Sequence, residues 1–187
     1  MKKQPDITAQ TRQNLIDAFW SLYCEKRIEK VTVKEIAVKA GYSRGTFYEY
    51  FNDVYDVLSQ IENDLIPDID LLPPFGTSNE SIEIPLETMM KIYAENSKYY
   101  TVLLGENGDP VFAEKLKKAV KPVLAKAFRS KINADENEFD YITEFFLSAM
   151  IGIMSYWYKR GESSSLEKLL NLIREITEHG ITARFIQ

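Results

Sequence analysis

An all-α fold in two parts is what this chain of 187 residues predicts. Three observations carry that prediction. Apolar residues recur at three and four along most of the chain, the spacing of one buried helix face. Helix starts are legible at Thr32, Ser43, Asn52–Asp53, Asp109–Pro110 and Ser164. One Pro- and Gly-bearing stretch, residues 67–80 (PDIDLLPPFGTSNE), interrupts the helical pattern and reads as a connector.

The first part is the most regular. A helix over about Thr8 to Lys26 places Leu15, Phe19, Leu22 and Tyr23 on one stripe. Thr32 and Glu35 then form a T-x-x-E capping box, in which each side chain satisfies the other's backbone N–H. Ile36, Ala37 and Ala40 give the short second helix a buried face. Gly41 stands where that helix must stop, since glycine accepts positive φ at little cost. Ser43 is an N-cap for the next helix, and Phe47 and Phe51, four apart, face the core. Asn52 and Asp53 can cap a fourth helix, to about Ile66, carrying Val54, Val57, Leu58, Ile61 and Leu65. Two short helices joined by a glycine turn are how a helix-turn-helix presents one helix to the major groove of DNA. Arg44, Gly45, Thr46, Tyr48 and Tyr50 are left on the outer side. Arginine contacts guanine or phosphate with two bonds at once, hydroxyls fix register on the backbone, and Gly45 lets the main chain approach closely.

The run TVKEIAVKAGYSRGTFYEYF, residues 32–51, resembles the DNA-binding domain of TetR-family transcriptional regulators. It follows the family's T-v-x-x-I-A-x-x-A-G-v-S-x-G-t-x-Y-x-x-F pattern almost position by position. The likeness implies that Thr32 and Lys34 touch phosphates and that Ser43, Arg44, Gly45, Thr46 and Tyr48 approach the groove. Tyr50 takes a position often held by histidine, with a phosphate role. One position departs from the pattern: a lysine common at the start of the fourth helix is here Val54, beside Asp53.

Beyond the connector, whose Leu71, Leu72 and Phe75 imply packing, the pattern is again helical. A helix is expected over about Pro85–Ala94 (Leu86, Met89, Met90 and Tyr93 apolar), then a short one capped by Ser97 and ending near Leu104. Asp109–Pro110 opens the next, with Val111, Phe112, Leu116, Val120, Val123 and Leu124 along it and Pro122 expected to kink or break it. Two long helices close the chain. The first, about Glu136–Lys159, repeats Phe139, Ile142, Phe146, Ala149, Met150, Ile153 and Trp157, with Tyr141, Phe145, Gly152 and Tyr156 on another side. The second starts at Ser164 in an S-S-L-E box and runs toward His179. A helix apolar nearly all round is buried on more than one face. The family resemblance implies a homodimer through these two helices, with Ala149 and Gly152 permitting close approach.

Charge is uneven. Residues 1–51 hold nine Lys/Arg against six Asp/Glu, and residues 52–187 hold fourteen against twenty-two. A basic head on an acidic body suits a module that contacts DNA. Lys2 and Lys3 read as a solvated terminus. No apolar run spans a membrane and no signal peptide is evident, so a cytoplasmic location is expected. Cys24 is the only cysteine and is expected in the core; with His179 the only histidine, an ordinary structural zinc site cannot be assembled, no Ser-His or Cys-His pair has a convincing context for hydrolysis, and no pairing of carboxylates stands out. No cofactor is expected.

The expected domains are a helix-turn-helix DNA-binding domain over residues 1–52 and a helical ligand-binding and dimerisation domain over 53–187. The resemblance implies a repressor whose dimer spans a near-palindromic operator, two heads roughly 34–36 Å apart. A small-molecule effector of unspecified chemistry would release it, from a cavity lined by Met89, Tyr93, Tyr100, Phe112, Phe145, Met150 and Trp157. The alternatives are an activator or partner-recruiting regulator on the same fold, and a helical enzyme or ligand carrier that binds no DNA.

Overall fold

The computed structural model describes residues 5–66, 76–77, 82–83, 91, 94–105, 108–129, 132–160 and 165–180. Its contacts divide the chain into two compact units, Met1–Leu65 and Ile66–Gln187. The fourth helix therefore groups with the head, whereas the expected boundary at 52/53 separates them. Its buried Val57, Leu58, Ile61 and Leu65 explain the grouping.

In the first unit, α1 (Pro5–Glu25) is followed by a 3-10 turn (Ile28–Lys30), α2 (Val33–Ala40), α3 (Arg44–Tyr48) and α4 (Val54–Leu65). Leu15 and Phe19 of α1, Ile36 of α2, Phe47 of α3 and Val57 of α4 are fully buried together in its core. Each such side chain contributes about 1.5–3 kcal/mol relative to exposure. The α1 stripe runs as expected through Leu15 and Phe19, with Leu22 and Tyr23 half-buried. Cys24 is a correction: it is exposed, in the last turn of α1 at the edge of the core. Partial burial and neighbouring Glu25 push its thiol pKa up, which disfavours the reactive thiolate.

In the second unit the helices are α5 (Ser97–Leu103), α6 (Pro110–Arg129), α7 (Glu136–Lys159) and α8 (Leu166–His179). A two-residue antiparallel ladder pairs Gly76–Thr77 with Ile82–Glu83 at the connector, a pairing that the connector's composition does not predict. It is too short to change the all-helical class. Tyr100 of α5 and Phe112 of α6 are fully buried with ring centroids 5.9 Å apart, and Phe128 meets Phe146 of α7 edge-on at 5.2 Å. Lys117–Glu144 (3.0 Å) and Lys121–Asp140 (2.6 Å) cross from α6 to α7, and the Ser155 hydroxyl donates to the Leu104 carbonyl.

Four local expectations change. Asn96, whose side chain makes no capping bond, stands at the N-cap of α5 where Ser97 was expected. The α8 cap is Ser165, accepting from Lys168 N, one residue past the expected Ser164. Helix α6 continues through Pro122 unbroken, from a cap in which Asp109 accepts from Val111 N at 2.8 Å. On α7 the buried line runs through Phe139, Thr143, Leu147, Met154, Trp157 and Tyr158, and Ile142 is exposed. Thr143 belongs there because its hydroxyl donates to Phe139 O at 2.8 Å, so a polar residue sits buried with its bond made. The expected helix over 85–94 lies largely outside the described residues, as do Leu71, Leu72 and Phe75.

Candidate nucleic-acid interface

The start of α2 is fixed by both halves of the predicted box. Thr32 Oγ1 accepts from Glu35 N at 3.3 Å, and Glu35 accepts from Thr32 N at 3.1 Å. Lys26 Nζ donates to the same carboxylate at 2.7 Å. Those bonds, Lys26's foremost and then Thr32's, hold Glu35 below the usual carboxylate range. At the other end Gly41 has φ 78°, the left-handed conformation expected of it. Tyr42 N then returns to Ala37 O at 2.8 Å and closes the helix. Ser43 caps α3 by accepting from Thr46 N at 3.0 Å, and the two hydroxyls lie 3.0 Å apart.

This frame sets out the predicted DNA-facing residues. Thr32, Lys34, Ser43, Arg44, Gly45 and Tyr48 are exposed, and Thr46 and Tyr50 are half-buried. Tyr48 is 53% exposed, its ring edge-on to buried Phe47 at 5.5 Å. The hydroxyls of Ser43 and Thr46 are engaged in the cap, so their first role is to hold α3 in place. A Cβ added at Gly45 would meet only Ser43 Oγ, at an ordinary 3.5 Å, and Gly45 has no positive φ. The chain's own fold therefore does not require glycine there. Val54 is buried and cannot serve as a surface anchor, while its neighbour Tyr55 is 53% exposed.

Sequence reasoning missed two groups. Tyr42 is half-buried and accepts from Asn14 Nδ2 at 3.0 Å, across 28 residues. A pairing of that separation leaves no local pattern to read. Likewise Arg12 of α1 donates to Gln60 of α4 at 2.7 Å, lies 3.8 Å from Asp64 and stands 5.8 Å from the Phe51 ring centre. Gln60 donates in turn to Asp56, which also accepts from Asn52 N at 2.8 Å. The Asn52 backbone bond is the main reason the Asp56 carboxyl titrates below its ordinary value of 3.8. That stabilisation is present at neutral pH and lost as acid protonates the group. Arg12→Ala is expected to lower head stability by about 1 kcal/mol, after discounting for its partial exposure. Urea denaturation checks this; an unchanged midpoint would exclude a fastening role for Arg12.

Of the predicted effector-contacting residues, those described differ in burial. Tyr100, Phe112 and Trp157 are buried, Met150 is half-buried, and Phe145 points outward, 76% exposed. Met89 and Tyr93 lie outside the described residues. Burial pushes the Tyr100 phenol pKa well up, so it stays neutral. Among the described residues no group of three or more His, Cys, Asp or Glu is placed to hold a metal, and no helix is long and apolar enough to cross a membrane.

A capped helix-turn-helix with an exposed arginine and an uncovered glycine, followed by a separate helical unit, defines a DNA-binding regulator by class. Comparison with known proteins identifies the particular family. The pattern described as "Bacterial regulatory proteins, tetR family" matches residues 15–61, and that described as "Transcriptional regulator C-terminal region" matches residues 80–179. The chain belongs to the TetR family of bacterial transcriptional regulators. It is 26% identical over 99 residues to the HTH-type transcriptional regulator SrpR of Pseudomonas putida, covering 51% of this chain and 46% of SrpR. The match to the uncharacterized HTH-type transcriptional regulator TtgW, also of Pseudomonas putida, is again 26% over 99 residues, covering 51% of this chain and 72% of TtgW. The chain thus spans about half the length of SrpR. A TetR transcriptional regulator from Streptococcus agalactiae 2603V shares the fold with TM-score 0.67 at 21% identity, over 93% of this chain and 97% of that one. The dihydroxyacetone kinase operon activator DhaS does so with TM-score 0.60 at 24% identity, over 92% and 97%.

Proposed function

We propose that this chain is a homodimeric repressor that binds a near-palindromic operator through α2 and α3 and leaves it when a small-molecule effector occupies the second unit. The observation that carries the DNA-binding part is Gly45: exposed, uncrowded and without positive φ, at the second position of a capped helix beside exposed Arg44 and Tyr48. A glycine its own fold does not need is explained by close approach to a duplex.

Dimerisation is supported by the outer face of α7. Tyr141, Phe145 and Tyr156 are 75%, 76% and 61% exposed, and Leu172 of α8 is 41% exposed. A Cβ at Gly152, on the same side of α7, would meet nothing within 4 Å. This face suits a second copy of the last two helices. The effector acts only by its differential affinity for the DNA-competent and released conformations. A coupling of about 1–3 kcal/mol changes operator affinity roughly 5- to 150-fold. The protein works in the cytoplasm, without a cofactor, and catalyses no reaction. A second reading, an activator on the same fold, is favoured by the fold neighbour DhaS, which is named as an operon activator. Transcription output with and without the gene separates the two.

Selection of bound sites from random DNA tests the whole reading: it should return inverted half-sites. Arg44→Ala is expected to cost about 1–3 kcal/mol per contacted guanine and to relax preference at one position of each half-site. Unchanged affinity and unchanged base preference would take Arg44 off the reading surface.

A further inference from the structure

We infer that Tyr42 is a ligand of a DNA backbone phosphate, oriented by a hydrogen-bond relay from α1. The inference rests on the DNA-binding reading above and adds a contact that the helix-turn-helix pattern itself does not contain.

The relay is directional. Gln10 Nε2 donates to Asn14 Oδ1 at 2.8 Å. With its oxygen so occupied, Asn14 presents Nδ2, which donates to the Tyr42 hydroxyl oxygen at 3.0 Å. A phenolic O–H lies near the ring plane, in one of two orientations. The Asn14 amide hydrogen takes one side of the oxygen as its acceptor. The Tyr42 proton is therefore held on the opposite side, away from Asn14, and no bond from it is made among the described residues. Tyr42 lies between Gly41 and the α3 cap Ser43, bonded in sequence to the segment that presents Arg44.

An O–H proton preset in direction, on the residue that immediately precedes the α3 cap, fits a phosphate oxygen. A hydroxyl gives phosphate a charge-assisted bond while carrying no charge of its own. Two consequences set Tyr42 apart from a lysine in the same place. Its contribution does not depend on base sequence. It also releases no counterion, so the slope of affinity against salt does not change when it is lost.

The test uses the full-length protein and an operator selected from random DNA. Wild-type binding is measured first; failure to bind any duplex would sink the DNA-binding reading and this inference with it. Given binding, Tyr42→Phe is expected to lower affinity roughly tenfold or more, equally on operator and unrelated DNA, with base preference and salt slope unchanged. Asn14→Ala should add little in the Tyr42→Phe background. Operators with single phosphates neutralised as methylphosphonates then separate a contact from a brace for the turn. The inference predicts one phosphate per half-site whose neutralisation weakens the wild type but not Tyr42→Phe. Equal responses of the two proteins at every phosphate would overturn it, whatever Tyr42→Phe does to affinity.

Discussion

Gly45→Ala is expected to leave the head folded, raise its melting temperature slightly, and remove most operator binding. The first two outcomes follow from the isolated chain. Gly45 is the second residue of α3, its new Cβ would meet only Ser43 Oγ at 3.5 Å, and it has no positive φ to be strained. Alanine in a helix is favoured over glycine by about 0.5–1 kcal/mol. The loss of binding follows from the proposed approach of the duplex. An added methyl in a close-packed contact costs about 1–3 kcal/mol, and a dimer meets it twice. Even the low end, about 2 kcal/mol in total, is roughly thirtyfold in affinity. Thermal melting and a DNA titration on the same sample check both halves. A variant that melts higher and binds as the wild type does would show that nothing approaches Gly45 closely, and the reading surface would have to lie elsewhere.

The legible features of the head share one property: they are local. Thr32 with Glu35, Gly41, Ser43 and the pair Phe47 and Phe51 all act within one or two helical turns, and each stands in the structure as its spacing implies. The illegible ones join distant segments. Arg12 to Gln60 and Asn14 to Tyr42 depend on how α1 packs against later elements, and no local periodicity encodes that. The second unit is harder for a different reason. Helix α7 is apolar on two sides, so pattern alone does not say which side its own chain covers. Counting only large apolar residues selects Ile142 and overlooks Thr143, although Thr143 is fully buried and Ile142 is not. Phe145, apolar and at helical spacing, is likewise exposed in the single chain. A residue that reads as core can instead lie on the side left open, and only packing separates the two.

That open side leads to the second large effect. Phe145→Asp is expected to convert the protein to a monomer without unfolding it. Phe145 is 76% exposed in the single chain, so its loss removes little from the chain's own core. In an isologous dimer the same patch appears twice, and each substitution acts on both copies. Losing two buried phenylalanines forfeits about 3–6 kcal/mol of association energy, taking about 1.5–3 for each. The two carboxylates must also be desolvated without a partner. A dimer with micromolar dissociation, about 8 kcal/mol, would not survive this at ordinary concentrations. The operator contacts of each head remain, but the joined heads lose an avidity of about 10²–10⁴. Val111→Asp supplies the control: Val111 is 56% exposed on α6 and should tolerate the same change. Sedimentation and circular dichroism give mass and fold together. A Phe145→Asp protein that remains folded and dimeric would move the interface off the outer face of α7, and with it the spacing of the two heads.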